Sequence, residues 1–217
     1  TLKDLATTVN RFRELNICVI GDTIIDEYIT CEPLGMSQED PTIVVSPILN
    51  QKFIGGAGIV AAHAASLNAE VSFFSVVGVD DAAKYVREEL RNKRISAYLY
   101  EDESRPTTLK MKYRADGKTL LRVSHLRQHA IGKAIQDKIL NDIKPLLAKA
   151  NLVVFSDFNY GCLPQRLVDK IQAYCSELHV MTVADSQCSS QIGDISRFKN
   201  TTLLTPTERE ARLGVHD

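Results

Sequence analysis

Short, continuous apolar runs alternate with amphipathic stretches along most of the chain. Leu2, Leu5, Val9, Phe12 and Leu15 fall at helical spacing and lead into the run Ile17-Cys18-Val19-Ile20, which closes on Gly21-Asp22. Runs of the same kind recur at Val71–Val77, Leu152–Phe155, Val180–Ala184 and Thr202–Leu204. Between most of them lie the helical patterns Ala57–Leu67, Ala82–Arg91, Ala134–Leu147 and Pro164–Cys175. A strand that is apolar on both faces needs cover on both, so the alternation predicts βαβ units and a parallel sheet between two layers of helices.

Two stretches break this rhythm. Ile24–Thr30 with Ile43–Ile48, and then Ala97–Tyr100 with Thr107–Tyr113 and Thr119–Val123, read as strands with no helix between them, and Arg114-Ala115-Asp116-Gly117-Lys118 joins the last two as a turn. They predict a small, mostly antiparallel sheet standing off the main domain. Its exposed apolar face suits a lid over a ligand, a dimer contact, or both.

Composition narrows the classes. The 217 residues are 44% hydrophobic with a net charge of −1, enough for one substantial core and without the clustered excess of Lys and Arg that a nucleic-acid partner needs. No stretch approaches the roughly 18 apolar residues of a membrane span, and the first residues lack a signal-type apolar run, so the cytoplasm is the expected compartment. Cys18, Cys31, Cys162, Cys175 and Cys188 are scattered, with no C-x-x-C pair, and are read as free thiols. His63 is expected to pack on an apolar helix face, and His125 and His129 to be solvated.

Candidate chemistry gathers at the carboxyl ends of the predicted strands, where open α/β sheets bind ligands. Gly21-Asp22-Thr23-Ile24-Ile25-Asp26 sets two carboxylates there, and an ionised Asp accepts sugar hydroxyls well. The alternative is that Asp22 caps a turn and Asp26 is solvated. Gly55-Gly56-Ala57-Gly58 opens a helix of small residues, which lets a ligand approach the backbone. The same residues fit the degenerate dinucleotide fingerprint Gly56-x-Gly58-x-x-Ala61, or simple helix packing. Asp157 and Asp185 each end an apolar run and serve equally as ligand groups or caps. Thr205-Pro206-Thr207-Glu208-Arg209-Glu210 starts a short helix, Thr207–Leu213, with acidic residues in its first turn.

Taken in order, Gly21-Asp22 with Asp26, Met36-Ser37-Gln38-Glu39-Asp40-Pro41, Gly55-Gly56-Ala57, Ser156-Asp157 with Gly161, Asp185, and Leu203-Leu204-Thr205-Pro206 with Glu210 resemble the ribokinase-like (PfkB-type) carbohydrate kinases. The spacing is most similar to the heptose 7-phosphate kinase domain of bifunctional ADP-heptose synthesis proteins, over essentially the whole chain. The resemblance implies one three-layer α/β/α domain over residues 1–217, with lid strands within 24–50 and 97–124 and dimerisation through the lid. It implies transfer of the ATP γ-phosphate to a sugar hydroxyl with Mg²⁺. Asp22 and Asp26 would grip the sugar, and Gly55 and Gly56 would present backbone to it. Lys110 and Arg122 would neutralise a substrate phosphate, and Asp157 would lie near the acceptor. Asp185, Thr207 and Glu210 would serve the nucleotide and, through water, the metal.

The chain departs from the family pattern at four positions. Ile59 and Thr207 stand where Asn is usual, and Tyr160 and Gln187 stand where Lys is usual. The Gly-Ala-Gly-Asp loop that carries the family's base does not occur, so a C-terminal third, with the base beyond Asp217, is expected to be missing and these residues alone are expected to be inactive. Two rivals remain open: a non-catalytic sugar-phosphate-binding or dimerisation module, and a dinucleotide-dependent oxidoreductase.

Overall fold

A computed structural model of the protein describes residues 2–187 and 193–215. Six strands form one parallel sheet in the order β10-β9-β8-β1-β4-β5: β1 is Asn16–Gly21, β4 Glu70–Val77, β5 Ser96–Glu101, β8 Leu152–Asp157, β9 Met181–Ser186 and β10 Leu203–Leu204. The helices are α1 (Leu2–Asn10), α2 (Ala57–Ser66), α3 (Asp81–Asn92), α4 (Lys133–Leu147), α5 (Gln165–Glu177) and α6 (Glu208–Gly214). Side chains of a strand alternate between faces, and β1 shows the consequence. Cys18 and Ile20 enter one buried cluster with Ile139, Ile143, Leu167 and Ile171 of α4 and α5. Ile17 and Val19 enter the other, with Ala57 and Ala61 of α2 and Val86 and Leu90 of α3. The apolar runs are continuous because both faces are covered.

A second sheet has the order β3-β2-β6-β7, where β2 is Thr23–Met36, β3 Ile43–Gly56, β6 Thr108–Ala115 and β7 Lys118–His125. The β2–β3 and β6–β7 pairs are antiparallel and β2–β6 is parallel. Asp116 and Gly117 both hold positive φ, 49° and 76°, as a two-residue hairpin turn requires. This is the lid. Its far end leaves Leu34, Met36, Ile43 and Ile48 exposed.

Two expectations are corrected. Ala97–Tyr100 is not a lid strand: β5 pairs in parallel with β4 at the edge of the main sheet. Tyr98 stacks on Phe74 at 4.6 Å and the Tyr100 hydroxyl donates to Asp142, so both aromatic side chains bind it to the main domain. His63 is exposed, because α2 buries the face of Ala57, Gly58, Ala61 and Ala62 instead. Cys18, Cys31, Cys162 and Cys175 are free and buried, while Cys188 lies outside the described residues.

Candidate functional site

All six core strands point their carboxyl ends the same way, so Asp22, Asp157, Asp185 and Thr205 share one edge of the sheet. The lid grows out of that edge, since β2 begins directly after Asp22 and β3 runs into α2.

Asp22 turns inward. Its Oδ2 accepts the amides of Phe158 and Tyr160 at 2.9 and 3.2 Å, and its Oδ1 accepts that of Cys162 at 3.1 Å. The side chain is 4% exposed. Its oxygens hold the turn after β8, a structural role beside the sugar contact expected of Asp22. Burial, with Asp157 adding repulsion, pushes its carboxyl up to about 6 against the pull of the three amides. The folded state thus keeps a proton that the unfolded chain releases near 3.8, so this group lowers stability as pH rises from 3.8 to about 6 and adds no slope above. Urea midpoints of the parent at pH 4.5 and 6.5 are expected to differ in that direction. Asp22→Asn should weaken the fold at both and lose this part of the slope, and an unaltered slope would contradict the assignment.

Asp157 is also committed below the surface. Oδ1 accepts the Asn159 amide at 3.1 Å, Oδ2 accepts the Ser186 hydroxyl at 2.9 Å, and Arg197 Nε lies 3.4 Å from Oδ2. It stands under the turn at Phe158–Gly161 rather than open at its tip, and Arg197 anchors further by donating to the Leu163 carbonyl.

Asp26 is the carboxylate that faces outward. Strand register puts Phe53 and Lys110 directly beside it, and Tyr28, Lys112 and Arg122 two residues further along the same lid face. Lys112 Nζ donates to Asp26 Oδ1 and to the Tyr28 hydroxyl, both at 3.0 Å, and lies 4.6 Å from the Tyr28 ring. Burial pulls the Lys112 ammonium down, but the Tyr28 hydroxyl and Asp26 carboxylate outweigh it and hold it above its ordinary value. Lys110 Nζ reaches across to the main domain, 5.2 Å from the Tyr160 ring and 5.9 Å from that of Phe158. One face of the lid thus carries Asp26 and a row of cations towards the carboxyl edge.

The glycines serve this geometry. A Cβ on Gly55 would sit 2.6 Å from Asp26 Oδ2, so the missing side chain is the space in which the carboxylate lies. Gly56 has φ 58° and ψ −140°, and a Cβ there would meet the Asp22 carbonyl oxygen at 2.3 Å. That carbonyl accepts the Ala57 amide. The glycine turn follows a lid strand, not a core strand, and Gly58 makes room for Ile54, so the dinucleotide fingerprint lacks its structural context.

On the nucleotide side of the expected site, Asp185 is half-buried and its partners are neutral: Thr205 Oγ1 at 3.2 Å and Gln187 Nε2 at 3.1 Å. A carboxylate whose partners among the described residues are neutral suits a hydrated cation. Thr207 and Glu210 form a capping box on α6, with the Thr207 amide and hydroxyl each 2.8 Å from Glu210 Oε2. Among the described residues no three His, Cys, Asp or Glu side chains converge to hold a metal directly. Ile59 packs half-buried against the core of α2 and α3. Tyr160 is 2% exposed with its hydroxyl unpartnered.

Sequence reasoning missed Lys112, although the Lys110-x-Lys112 alternation places both on one strand face. It also missed Arg105 and Arg197, which reach remote segments: Arg105 the His129 and Tyr160 carbonyls, and Arg197 the Asp157 carboxylate.

Comparison with known proteins defines the class. Residues 14–216 match the profile of the pfkB family carbohydrate kinases, and the chain belongs to that family. It is 28% identical over 210 residues to the bifunctional protein HldE of Geotalea uraniireducens, covering 96% of this chain and 42% of that protein. It is 32% identical over 201 residues to the HldE protein of Helicobacter hepaticus, covering 91% of this chain and 40% of that one. The chain thus spans about two fifths of the length of these relatives. Among solved structures it is similar to phosphofructokinase-2 from Escherichia coli in complex with fructose-6-phosphate, with a TM-score of 0.71, 12% identity, and coverage of 93% of this chain and 64% of that one. For ribokinase from Arabidopsis thaliana complexed with ribose and ATP the values are 0.65, 16%, 91% and 61%. These structures establish the ribokinase-like fold.

Proposed function

We propose that this chain forms the acceptor-binding part of a kinase that transfers the γ-phosphate of ATP to a hydroxyl of a phosphorylated sugar, with heptose 7-phosphate the class of acceptor. The observation that carries the proposal is the lid face: one outward carboxylate, Asp26, flanked by Lys110, Lys112 and Arg122, with Lys110 reaching the turn after β8. Asp26 accepts sugar hydroxyls, Lys112 and Arg122 take the phosphate already on the sugar, and Lys110 stands at the end nearer the transfer. Gly55 and Gly56 let the sugar approach the backbone. Phosphoryl transfer relies on alignment and charge neutralisation, and this arrangement supplies both on the acceptor side.

Bound ATP and Mg²⁺ supply the phosphoryl group and its charge compensation. Asp185, whose partners among the described residues are neutral, is the residue that would meet them, through water, while Glu210 is taken up in the capping box with Thr207 and would hold the start of α6 beside them. Asp22 and Asp157 are both committed to the turn after β8, which leaves neither of them open as the base. The 217 residues are therefore proposed to bind without transferring.

That commitment, with Ile59 and Gln187 replacing polar and basic family residues, also favours a second reading, a sugar-phosphate-binding module. Exposed Leu34, Met36, Ile43 and Ile48 favour a homodimer through the lid in either case. The protein as its source makes it, given Mg²⁺, ATP and heptose 7-phosphate, is expected to release ADP only when the sugar is present. Binding of the sugar without ADP release would select the module.

A further inference from the structure

The lid joins the main domain through four links, and the β6–β7 hairpin owns two of them: residues 102–107, between β5 and β6, and residues 126–132, between β7 and α4. Arg105 lies in the first of these and is 9% exposed. Its Nε donates to Asp102 Oδ2 at 2.8 Å, within its own link. Its Nη2 donates to the His129 carbonyl at 2.6 Å, in the other link. Its Nη1 donates to the Tyr160 carbonyl at 2.8 Å, in the turn whose amides Asp22 holds.

The surroundings are built for this junction. Gly161 has φ 92°, and a Cβ on it would lie 2.1 Å from the His129 oxygen, so the second link and the turn touch backbone to backbone. The Ile131 amide donates to the Gly161 carbonyl across the same contact, at 3.0 Å. Behind Arg105, the Asp80 carboxylate caps α3 through the Ala83 amide and accepts the Thr107 amide, both at 2.8 Å. The buried Tyr160 carbonyl needs a donor, and a planar guanidinium can serve it, a second carbonyl and a carboxylate at once where an ammonium on a flexible stem cannot hold the same fork.

We infer that Arg105 is a positioning residue: it locks both roots of the β6–β7 hairpin to the turn at Phe158–Gly161, so that hairpin and turn are held as one unit. Lys110 follows five residues later on β6 and rests over the rings of that turn. Its place near the transferring phosphate is then fixed from Arg105. This last consequence rests on the kinase reading, but the mechanical coupling does not.

Hydrogen exchange of the full chain tests the coupling. In Arg105→Gln, and in Arg105→Lys if the first does not fold, the hydrogen-bonded amides of Ile131 in one segment and of Phe158, Tyr160 and Cys162 in the other are expected to exchange at least about tenfold faster than in the parent, while β1, β4 and β8 keep their protection. Failure of lysine to restore protection identifies the fork rather than the charge as the cause. Unchanged protection in both segments overturns the inference, and so does an equal loss across the whole parallel sheet. In the protein as its source makes it, Arg105→Lys should raise the acceptor KM and spare that for ATP. If the parent shows no sugar-dependent turnover, the kinase reading fails and the exchange result still decides the role of Arg105.

Discussion

Replacing Asp26 by Asn is expected to weaken sugar-phosphate binding about 100-fold, or about 2.7 kcal/mol, the upper range for losing hydrogen bonds to a charged acceptor. Asp26 is the carboxylate of the edge-and-lid cluster that faces outward, and Gly55 leaves it the room to do so. The fold should barely notice. Asp26 and Lys112 are each about a quarter exposed, and such pairs contribute about 0–1 kcal/mol. Calorimetric titration with heptose 7-phosphate, beside a urea melt, separates the two effects. Unchanged affinity with an unchanged melt would remove Asp26 from the site, and a large loss of stability would make it a structural residue.

Gly56→Ala should do the opposite and damage the fold by about 4 kcal/mol, combining a backbone conformation that only glycine tolerates with a steric clash. The clash is with backbone, the Asp22 carbonyl oxygen at 2.3 Å, so no side chain can swing away to relieve it. This is also where β3 hands over to α2, and the Asp22 carbonyl is the acceptor for the first amide of that helix. The chain has no tryptophan, so far-UV circular dichroism in urea is the practical probe. A loss below about 1 kcal/mol would mean that the lid root can shift to accept a methyl group.

The parallel sheet was legible because each central strand is a short run that is apolar on both faces. β5 was not legible. Ala97–Tyr100 reads like the lid strands that follow it, and what assigns it to the main sheet is a stack of Tyr98 on Phe74, 24 positions away in the chain. In the motif Gly21-Asp22-Thr23-Ile24-Ile25-Asp26 the residue types announce a site, yet its two carboxylates part company. Asp22 precedes the first lid residue and meets amides 136 to 140 positions away, while Asp26 lies on the open face of β2. Only the fold distinguishes them. Lys110 and Arg122 were visible as lid cations, but the register that sets Lys112 opposite Arg122 was not. Arg105 left no local signal, because its acceptors beyond the nearby Asp102 are main-chain carbonyls of unrelated segments.

In the proposed reaction the lid and carboxyl edge present a sugar phosphate for phosphorylation. Phosphorus-31 NMR of heptose 7-phosphate incubated with ATP, Mg²⁺ and the protein as its source makes it is the decisive test. A new sugar phosphate resonance at the anomeric position is expected, growing in step with ADP while the original sugar phosphate is retained, and absent when the sugar carries no phosphate. ADP formation without a second phosphate on the sugar, or no reaction despite tight sugar-phosphate binding, would contradict it.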